Sequence, residues 1–258
     1  MLSKRIITCL DVKNGFVING ITFEDYKIVG NILSLVKKYI QDGSDELFFY
    51  DYLSLIQKKN INTYWISRIS EIINIPLCFS GRIKNFKEVK DVLNNGAHKI
   101  SINFNSIENP YLISDIADKF GIQSVVVSIN SYYSIKKKKY FIYQYNKNKN
   151  FFKKKNIETY KWIEYIQKLG AGEIILNSIN KNNKLNNEYD IKQLRSIRKI
   201  CKIPLITFGN PNSINNFYDV FRFSDIDGVI ISSIFHENIV SIKNLKDFLF
   251  IKNIDVRR

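Results

Sequence analysis

The chain has 258 residues, of which 45% are hydrophobic and 14% aromatic, and it carries a formal net charge of +15. This composition is sufficient for a sizeable core and argues against a disordered chain. No apolar run approaches the ~20 residues that a membrane-spanning helix requires. The sequence leads from Met1 straight into an apolar strand rather than into a signal peptide, which predicts a soluble cytoplasmic protein.

The surplus of positive charge raises nucleic-acid binding as an alternative function. Most of the surplus is Lys, which is spread over predicted helices and concentrated in one loop. We favour a solvated surface over a nucleic-acid interface, and the same charge would attract an anionic substrate. Cys9, Cys78 and Cys201 lie in apolar runs without metal-ligand spacing, so we expect buried reduced thiols and neither a metal nor a cofactor.

In the first half of the chain, apolar strands alternate with amphipathic helices. Strands are predicted at 5–11, 46–51, 75–81 and 99–103, and helices at 31–40, 61–73, 86–95 and 110–120. The first strand ends in Asp11, and the polar stretch that continues through Lys27 predicts a long, mobile loop.

The second half repeats this alternation. Strands are predicted at 123–130, 173–177, 203–209 and 228–233, and helices at 157–169, 189–200 and 244–250. An insertion at 131–155 contains the alternating run from Tyr140 to Tyr145, which predicts a β-hairpin after the fifth strand. Eight strands in a chain of this length favour a single (β/α)8 barrel domain over residues 1–258. An open doubly wound sheet would call for a Gly-rich loop after the first strand, which the sequence lacks.

The two halves also resemble each other in detail. Ile75-Pro76-Leu77 recurs 128 residues later as Ile203-Pro204-Leu205, and a glycine follows each copy, at Gly81 and at Gly209. The segment 43–46 is echoed by 170–173, and the strand end Leu10-Asp11 is matched by Ile129-Asn130. Chance matching of short apolar strings is the alternative, but the ordered matches favour a two-fold half-barrel repeat.

Glycines at strand ends allow backbone N–H groups to approach a phosphate. Gly81 with Ser101 and Asn103 predicts one phosphate site, and Gly209 with Ser232 and Ser233 predicts the other. Ordinary turns are the alternative for either glycine. As a symmetric pair, the two sites predict a substrate with two phosphates.

Charged residues mark both ends of the predicted barrel. Asp11 ends the first strand at the edge where barrels carry out chemistry, although an aspartate that caps a turn before Gly15 is the alternative. The opposite rim carries four strand-start charges, which form either a ring or four separately solvated ends: Arg5, Glu46, Lys99 and Glu173.

Together, several segments resemble the cyclase subunit of imidazole glycerol phosphate synthase, a family of histidine biosynthesis. The resemblance rests on residues 4–15, 45–47, 99–103, 108–110, 120–121, 125–127, 170–174 and 235–236, and it covers nearly the whole chain. It implies a barrel that closes the imidazole ring of a bis-phosphorylated ribulosyl formimino intermediate. Ammonia would come from a glutaminase partner docked at the N-terminal face, the charged ring would be the ammonia gate, and Asp11 would be a general acid/base. The sister isomerase of the pathway is a weaker alternative, since it lacks this gate.

The sequence departs from the family pattern at the predicted mouth of the barrel. The family's second catalytic acid falls at Asn130, and Arg82 and Asn210 replace glycines of the phosphate loops. Asn19 stands at the position of the family's loop lysine, and residues 180–184 replace an acidic loop after the sixth strand. We therefore predict a slow cyclase that relies on Asp11, and the alternative is a subunit kept as a scaffold or activator of the glutaminase.

Overall fold

The computed structural model describes residues 3–20, 26–57, 60–83, 85–146, 151–179, 189–209, 211 and 213–257. The chain divides into two compact units, one formed by residues 1–101 with 230–258 and the other by residues 102–229. The single domain over residues 1–258 stays a prediction.

The first unit begins with strands and helices in close alternation. In chain order they are β1 (Arg5–Lys13), β2 (Phe16–Gly20), β3 (Tyr26–Asn31), α1 (Ile32–Gln41), β4 (Glu46–Asp51), α2 (Tyr52–Gln57), α3 (Tyr64–Ser70), β5 (Leu77–Ser80), α4 (Phe86–Asn94) and β6 (Lys99–Ile102). The strands β1, β4, β5 and β6 are parallel neighbours in that order. Ile7 lies beside Glu46, and Cys78 lies beside Lys99.

The second unit continues the pattern with a longer strand and an antiparallel excursion. Its elements are α5 (Phe104–Glu108), α6 (Tyr111–Phe120), a 3-10 turn (Ile122–Ser124), β7 (Val125–Ser134), β8 (Lys139–Asn146), β9 (Phe151–Glu158), α7 (Thr159–Lys168), β10 (Glu173–Ile179), α8 (Ile191–Arg198), β11 (Leu205–Phe208) and α9 (Ile214–Ser224). β10 lies between β7 and β11 and is parallel to both.

The chain ends with β12 (Gly228–Ile231), α10 (Ser233–His236) and α11 (Ile242–Ile251). In the described parts of the chain, the eight parallel strands β1, β4, β5, β6, β7, β10, β11 and β12 alternate with helices. This is the (β/α)8 fold class that the sequence predicts, and the prediction is confirmed. The predicted hairpin insertion is also present, because the end of β7 pairs with β8 and β8 pairs with β9, both antiparallel.

The prediction of a long loop after Asp11 is wrong. β1 extends to Lys13, and a tight turn at Asn14 and Gly15 joins it to the antiparallel strand β2, which pairs in turn with β3. Both turn residues have positive φ, 51° and 81°, a conformation that favours asparagine and glycine and matches the twist of a hairpin. The Trp65 indole packs against this turn so closely that a Cβ at Gly15 would lie 2.1 Å from Trp65 Cζ2.

The barrel strands are buried on both faces, which explains their continuous apolar runs. The helices show one buried stripe: α1 buries Ile32, Val36 and Tyr39, and the Asn31 side chain accepts hydrogen bonds at its N-terminus. The three cysteines are buried and form no disulfide, as predicted. In the described ranges, no helix is long and apolar enough to span a membrane, and the cytoplasmic location stays a prediction.

The same aspartate clamp secures a strand in each unit. Asp45 donates its N–H to Ile6 O at 3.0 Å and accepts Ile6 N–H at 2.8 Å, while its second carboxylate oxygen lies 2.7 Å from Lys246 Nζ. In the second unit, Asp227 exchanges the same two hydrogen bonds with Leu205, each 2.8 Å long, and pairs with a helix cation, Arg198. The two clamps are not repeat copies of each other, because the repeat offset of 128 residues matches Leu205 with Leu77, whose N–H donates to His98 Nδ1 at 3.2 Å.

Candidate active site

Asp11 is half-buried near the C-terminal end of β1, where it lies beside Ile18 of β2 and Tyr50 of β4. Burial raises the pKa of its carboxyl group to about 7, and a contact from the Cys9 thiol, 3.9 Å from Oδ1, opposes this shift. At neutral pH the protonated and ionised forms are therefore present in similar amounts. A carboxyl group in this state can both accept and donate a proton.

Asn130 lies on β7 in the second unit, directly beside Asn177 of β10. The Asn177 side-chain amide nitrogen donates to Asn130 Oδ1 at 2.9 Å and contacts Ser128 Oγ at 3.3 Å. Both asparagines are half-buried and Ser128 is buried. An amide at position 130 can orient a substrate oxygen, but it cannot exchange a proton at neutral pH.

Three of the four predicted gate residues are in contact. Glu46 Oε2 lies 3.0 Å from Arg5 Nη1 and 2.7 Å from Lys99 Nζ, and only 3% of the Glu46 side chain is exposed. The alternative of separately solvated strand ends is therefore wrong for these three residues. Glu173 is buried at the start of β10 in the second unit, beside Val126 of β7.

The first predicted phosphate loop is closely packed. A Cβ at Gly81 would lie 2.5 Å from Phe79 Cζ, so this glycine is needed for packing. The backbone N–H of Arg82 donates to Ser54 Oγ at 3.1 Å, and Ser54 is fully buried. Ser101 Oγ is buried and has no hydrogen-bond partner among the residues that the structure describes. Asn103 follows β6 and is half-buried.

In the second predicted phosphate loop, Gly209 is buried under Tyr189, whose Cε1 would lie 2.6 Å from a Cβ at this position. Asn210 and the loop 180–184 lie outside the described residues.

Ser232 and Ser233 belong to the first unit, where Ser232 is buried and precedes α10. Ser233 Oγ donates to Asn19 Oδ1 at 2.8 Å, and Asn19 Nδ2 donates to Glu237 Oε1 at 2.9 Å. The side chain at the loop-lysine position is thus bonded to a residue predicted to bind phosphate.

Sequence reasoning missed two residues that contact predicted site residues: Ser54 in the first unit and Asn177 in the second. Asn177 had a usable signal, because it is a polar residue after a buried apolar run, as are Asp11 and Asn130. Ser54 had none, because its partner Arg82 lies 28 residues away in the chain. In the part of the chain that the structure describes, no group of three or more His, Cys, Asp or Glu residues could hold a metal ion.

Comparisons with known proteins agree over the length of the chain. Residues 5–241 match the family described as "Histidine biosynthesis protein". The imidazole glycerol phosphate synthase subunit HisF of Buchnera aphidicola subsp. Baizongia pistaciae is 47% identical over 257 residues, which cover 100% of this chain and 99% of that protein. The subunit of the same name from Buchnera aphidicola subsp. Schizaphis graminum is 46% identical with the same coverage. That of Aliivibrio salmonicida is 41% identical, with 100% of both chains covered.

Proposed function

Because the chain belongs to the histidine biosynthesis protein family and matches subunits named HisF over their full length, we propose that it is the cyclase subunit of imidazole glycerol phosphate synthase. The reaction uses ammonia to convert the bis-phosphorylated ribulosyl formimino-aminoimidazole carboxamide ribotide into imidazole glycerol phosphate and aminoimidazole carboxamide ribotide. The observation that carries the proposal is the carboxyl group of Asp11, whose pKa of about 7 suits acid–base chemistry at neutral pH.

Asp11 is proposed as the general acid and base of ring closure. Ammonia first adds to the sugar carbonyl, whose oxygen leaves as water. The same nitrogen then attacks the formimino carbon to close the ring, and the bond from that carbon to the departing aminoimidazole nitrogen breaks. Each leaving group needs a proton, and the attacking nitrogen needs a base. A group that titrates near the working pH serves both steps in turn, because neither of its forms is rare. Burial supplies this property, since it penalises the ionised carboxylate.

Asn130 is proposed as an orienting residue that contacts substrate without transferring a proton. Loss of one of two proton-transfer groups typically costs on the order of 10²–10⁴ in rate. We therefore expect a slow cyclase. The phosphates are assigned to Gly81, Arg82, Ser101 and Asn103 at one end and to Gly209, Asn210, Ser232 and Ser233 at the other.

The relatives are named as subunits, which implies a partner subunit. We propose that this partner is a glutaminase docked at the N-terminal face of the barrel, and that ammonia passes a gate formed by Arg5, Glu46, Lys99 and Glu173. The support is the position of these charges at strand starts and the contact of Glu46 with two cations.

The test is a cyclase assay with ammonium salt in place of the partner. Wild type is expected to form product, and Asp11→Asn is expected to lower kcat by at least about 10²-fold, because the proton-transfer group is lost. Asp118→Asn on the exposed face of α6 is the matched control and should behave as wild type. Full activity of Asp11→Asn would contradict the assignment of Asp11.

The alternative is a scaffold or activator that stimulates the glutaminase without cyclisation. This alternative is favoured because Asn130 stands at the position of the family's second catalytic acid, so acid–base chemistry is weakened there. The contacts among Arg5, Glu46 and Lys99 are nevertheless present. The same assay decides the matter. No product at any ammonium concentration, together with stimulation of the glutaminase, would replace the cyclase proposal with the scaffold.

A further inference from the structure

Asn177 contacts two oxygens through a single nitrogen. Its Nδ2 lies 2.9 Å from Asn130 Oδ1 and 3.3 Å from Ser128 Oγ. An asparagine amide has two N–H donors, so each of these oxygens has a hydrogen available to it. The contacts join neighbouring parallel strands, since Asn177 and Asn130 are register partners on β10 and β7.

This arrangement fixes which end of the Asn130 amide is bonded. With its oxygen engaged by Asn177, Asn130 keeps its NH2 group for another partner. Turning only the Asn130 amide would bring two NH2 groups together, with no acceptor between them. If both amides were turned, the Asn177 nitrogen would take the buried position of the present Asn177 oxygen, which has no partner among the described residues. Two N–H donors would then be buried at that position. Buried N–H groups without partners are rarer than under-used carbonyl oxygens, so the observed orientation is favoured.

We propose that Asn177 is a positioning residue of the cyclase site, which orients the Asn130 amide so that its NH2 group donates a hydrogen bond to an oxygen of the bis-phosphorylated substrate. This inference rests on the proposed function, and it adds a residue to which that proposal gives no role. It also makes position 130 a site where a carboxylate would be accepted, because Asn177 already donates to the oxygen that a carboxylate would place there.

The first experiment is a double-mutant cycle in the ammonium-dependent assay. Asn177→Leu removes both donors and is expected to lower kcat/KM about threefold to tenfold, mainly through KM, as loss of one neutral hydrogen bond does. In an Asn130→Ala background the same change should have no further effect, because Asn177 acts through Asn130. Asn177→Thr keeps a donor and should stay within about twofold of wild type.

Ser178→Ala is the matched control, because the next residue on β10 points to the opposite face. It should leave kcat/KM unchanged. An equal loss from Asn177→Leu in both backgrounds would assign Asn177 a merely structural role and overturn the proposal. So would wild-type kcat/KM in Asn177→Leu.

A second experiment does not depend on cyclase activity. The introduced carboxylate of Asn130→Asp is titrated by carbon-13 NMR, with and without Asn177→Leu. A donor to the ionised form lowers a carboxyl pKa, so the pKa should be higher by about one unit in the double variant. Both variants share every other charged group, including Glu173 at the start of β10, so the difference reports the contact with Asn177.

The two experiments separate the two proposals. If wild type forms no product but the pKa difference is observed by NMR, the cyclase function is wrong and the contact between Asn177 and residue 130 is confirmed. The proposed role of Asn177 in orienting substrate is then overturned. If wild type is active and the two carboxyl pKa values are equal, the function holds and the role of Asn177 is overturned.

Discussion

At the scale of single residues, the chemistry depends on what surrounds a carboxyl group. Asp11 and Glu46 are both acidic strand residues in the first unit, yet their surroundings differ. Glu46 contacts two cations, whereas the Asp11 carboxylate is contacted by the Cys9 thiol. Burial raises the pKa of Asp11 to about 7, whereas Glu46 is held by contacts with Arg5 and Lys99.

The raised pKa of Asp11 predicts a dependence of stability on pH. In the unfolded chain this carboxyl ionises near pH 4, but in the folded protein it ionises near pH 7. Between these values the folded state binds more protons, so the free energy of unfolding falls as pH rises and stays level above about pH 7. Asp11→Asn removes this loss. Its Tm relative to wild type should therefore rise between pH 4 and pH 7, and a Tm difference that is constant with pH would contradict the assignment.

Substitution of Glu46 is expected to lower the stability of the fold more than substitution of a residue in an exposed ion pair. Glu46→Gln removes the buried carboxylate that Arg5 and Lys99 contact, and the free energy of unfolding should fall by about 2–3 kcal/mol. The control is Glu71→Gln, whose pair with Arg68 is exposed and should contribute less than about 1 kcal/mol. Urea unfolding of both variants measures the difference, and equal losses would show that burial of Glu46 is unimportant.

At the scale of elements, strands with continuous apolar runs were predicted well and local polar segments were not. β4 covers the predicted residues 46–51, because its apolar run ends in a charged residue at each side. β2 and β3 were missed because the polar residues between Asp11 and Lys27 concealed the Asn14-Gly15 turn, a strong hairpin signal. The short helices α2, α5 and α10 and the longer α9 were also not predicted.

The turn at Gly15 predicts a steric effect that can be separated from backbone strain. Gly15→Ala would place a Cβ within the Trp65 ring, at 2.1 Å from Cζ2, in a backbone with φ of 81°. Gly43→Ala is the control, because φ is 90° there but no atom lies within 4 Å of the added Cβ. The control should lose about 1 kcal/mol of stability, and Gly15→Ala should lose distinctly more. Chemical denaturation compares them, and equal losses would mean that Trp65 moves aside freely.

At the scale of the whole molecule, the repeat was visible in the sequence but the contacts of the site were not. Matching strings such as Ile75-Pro76-Leu77 and Ile203-Pro204-Leu205 are local patterns, which can be recognised without the fold. The contact between Asn130 and Asn177 joins residues 47 apart, and its geometry depends on strand register. Polar residues in the sequence indicate candidates for a site, but which of them are in contact depends on the fold.

The net charge of +15 predicts how the reaction responds to salt. A positive field attracts a bis-phosphorylated substrate, and salt screens that attraction. We expect kcat/KM for the phosphorylated substrate to fall several-fold between about 50 and 300 mM salt, while KM for uncharged ammonia serves as the internal control and does not change. Equal responses of both substrates would contradict electrostatic attraction. The rival nucleic-acid function would instead show binding whose affinity falls steeply with salt, and a flat titration would exclude it.

The contact between Asn177 and Asn130 also has a consequence for how this protein can change. Codons for asparagine and aspartate differ in a single base, so a carboxylate at position 130 is one nucleotide substitution away. The strand beside it already presents an N–H group at 2.9 Å to hold that carboxylate. An aspartate introduced at position 130 by that single substitution would thus meet an N–H donor that is already in place.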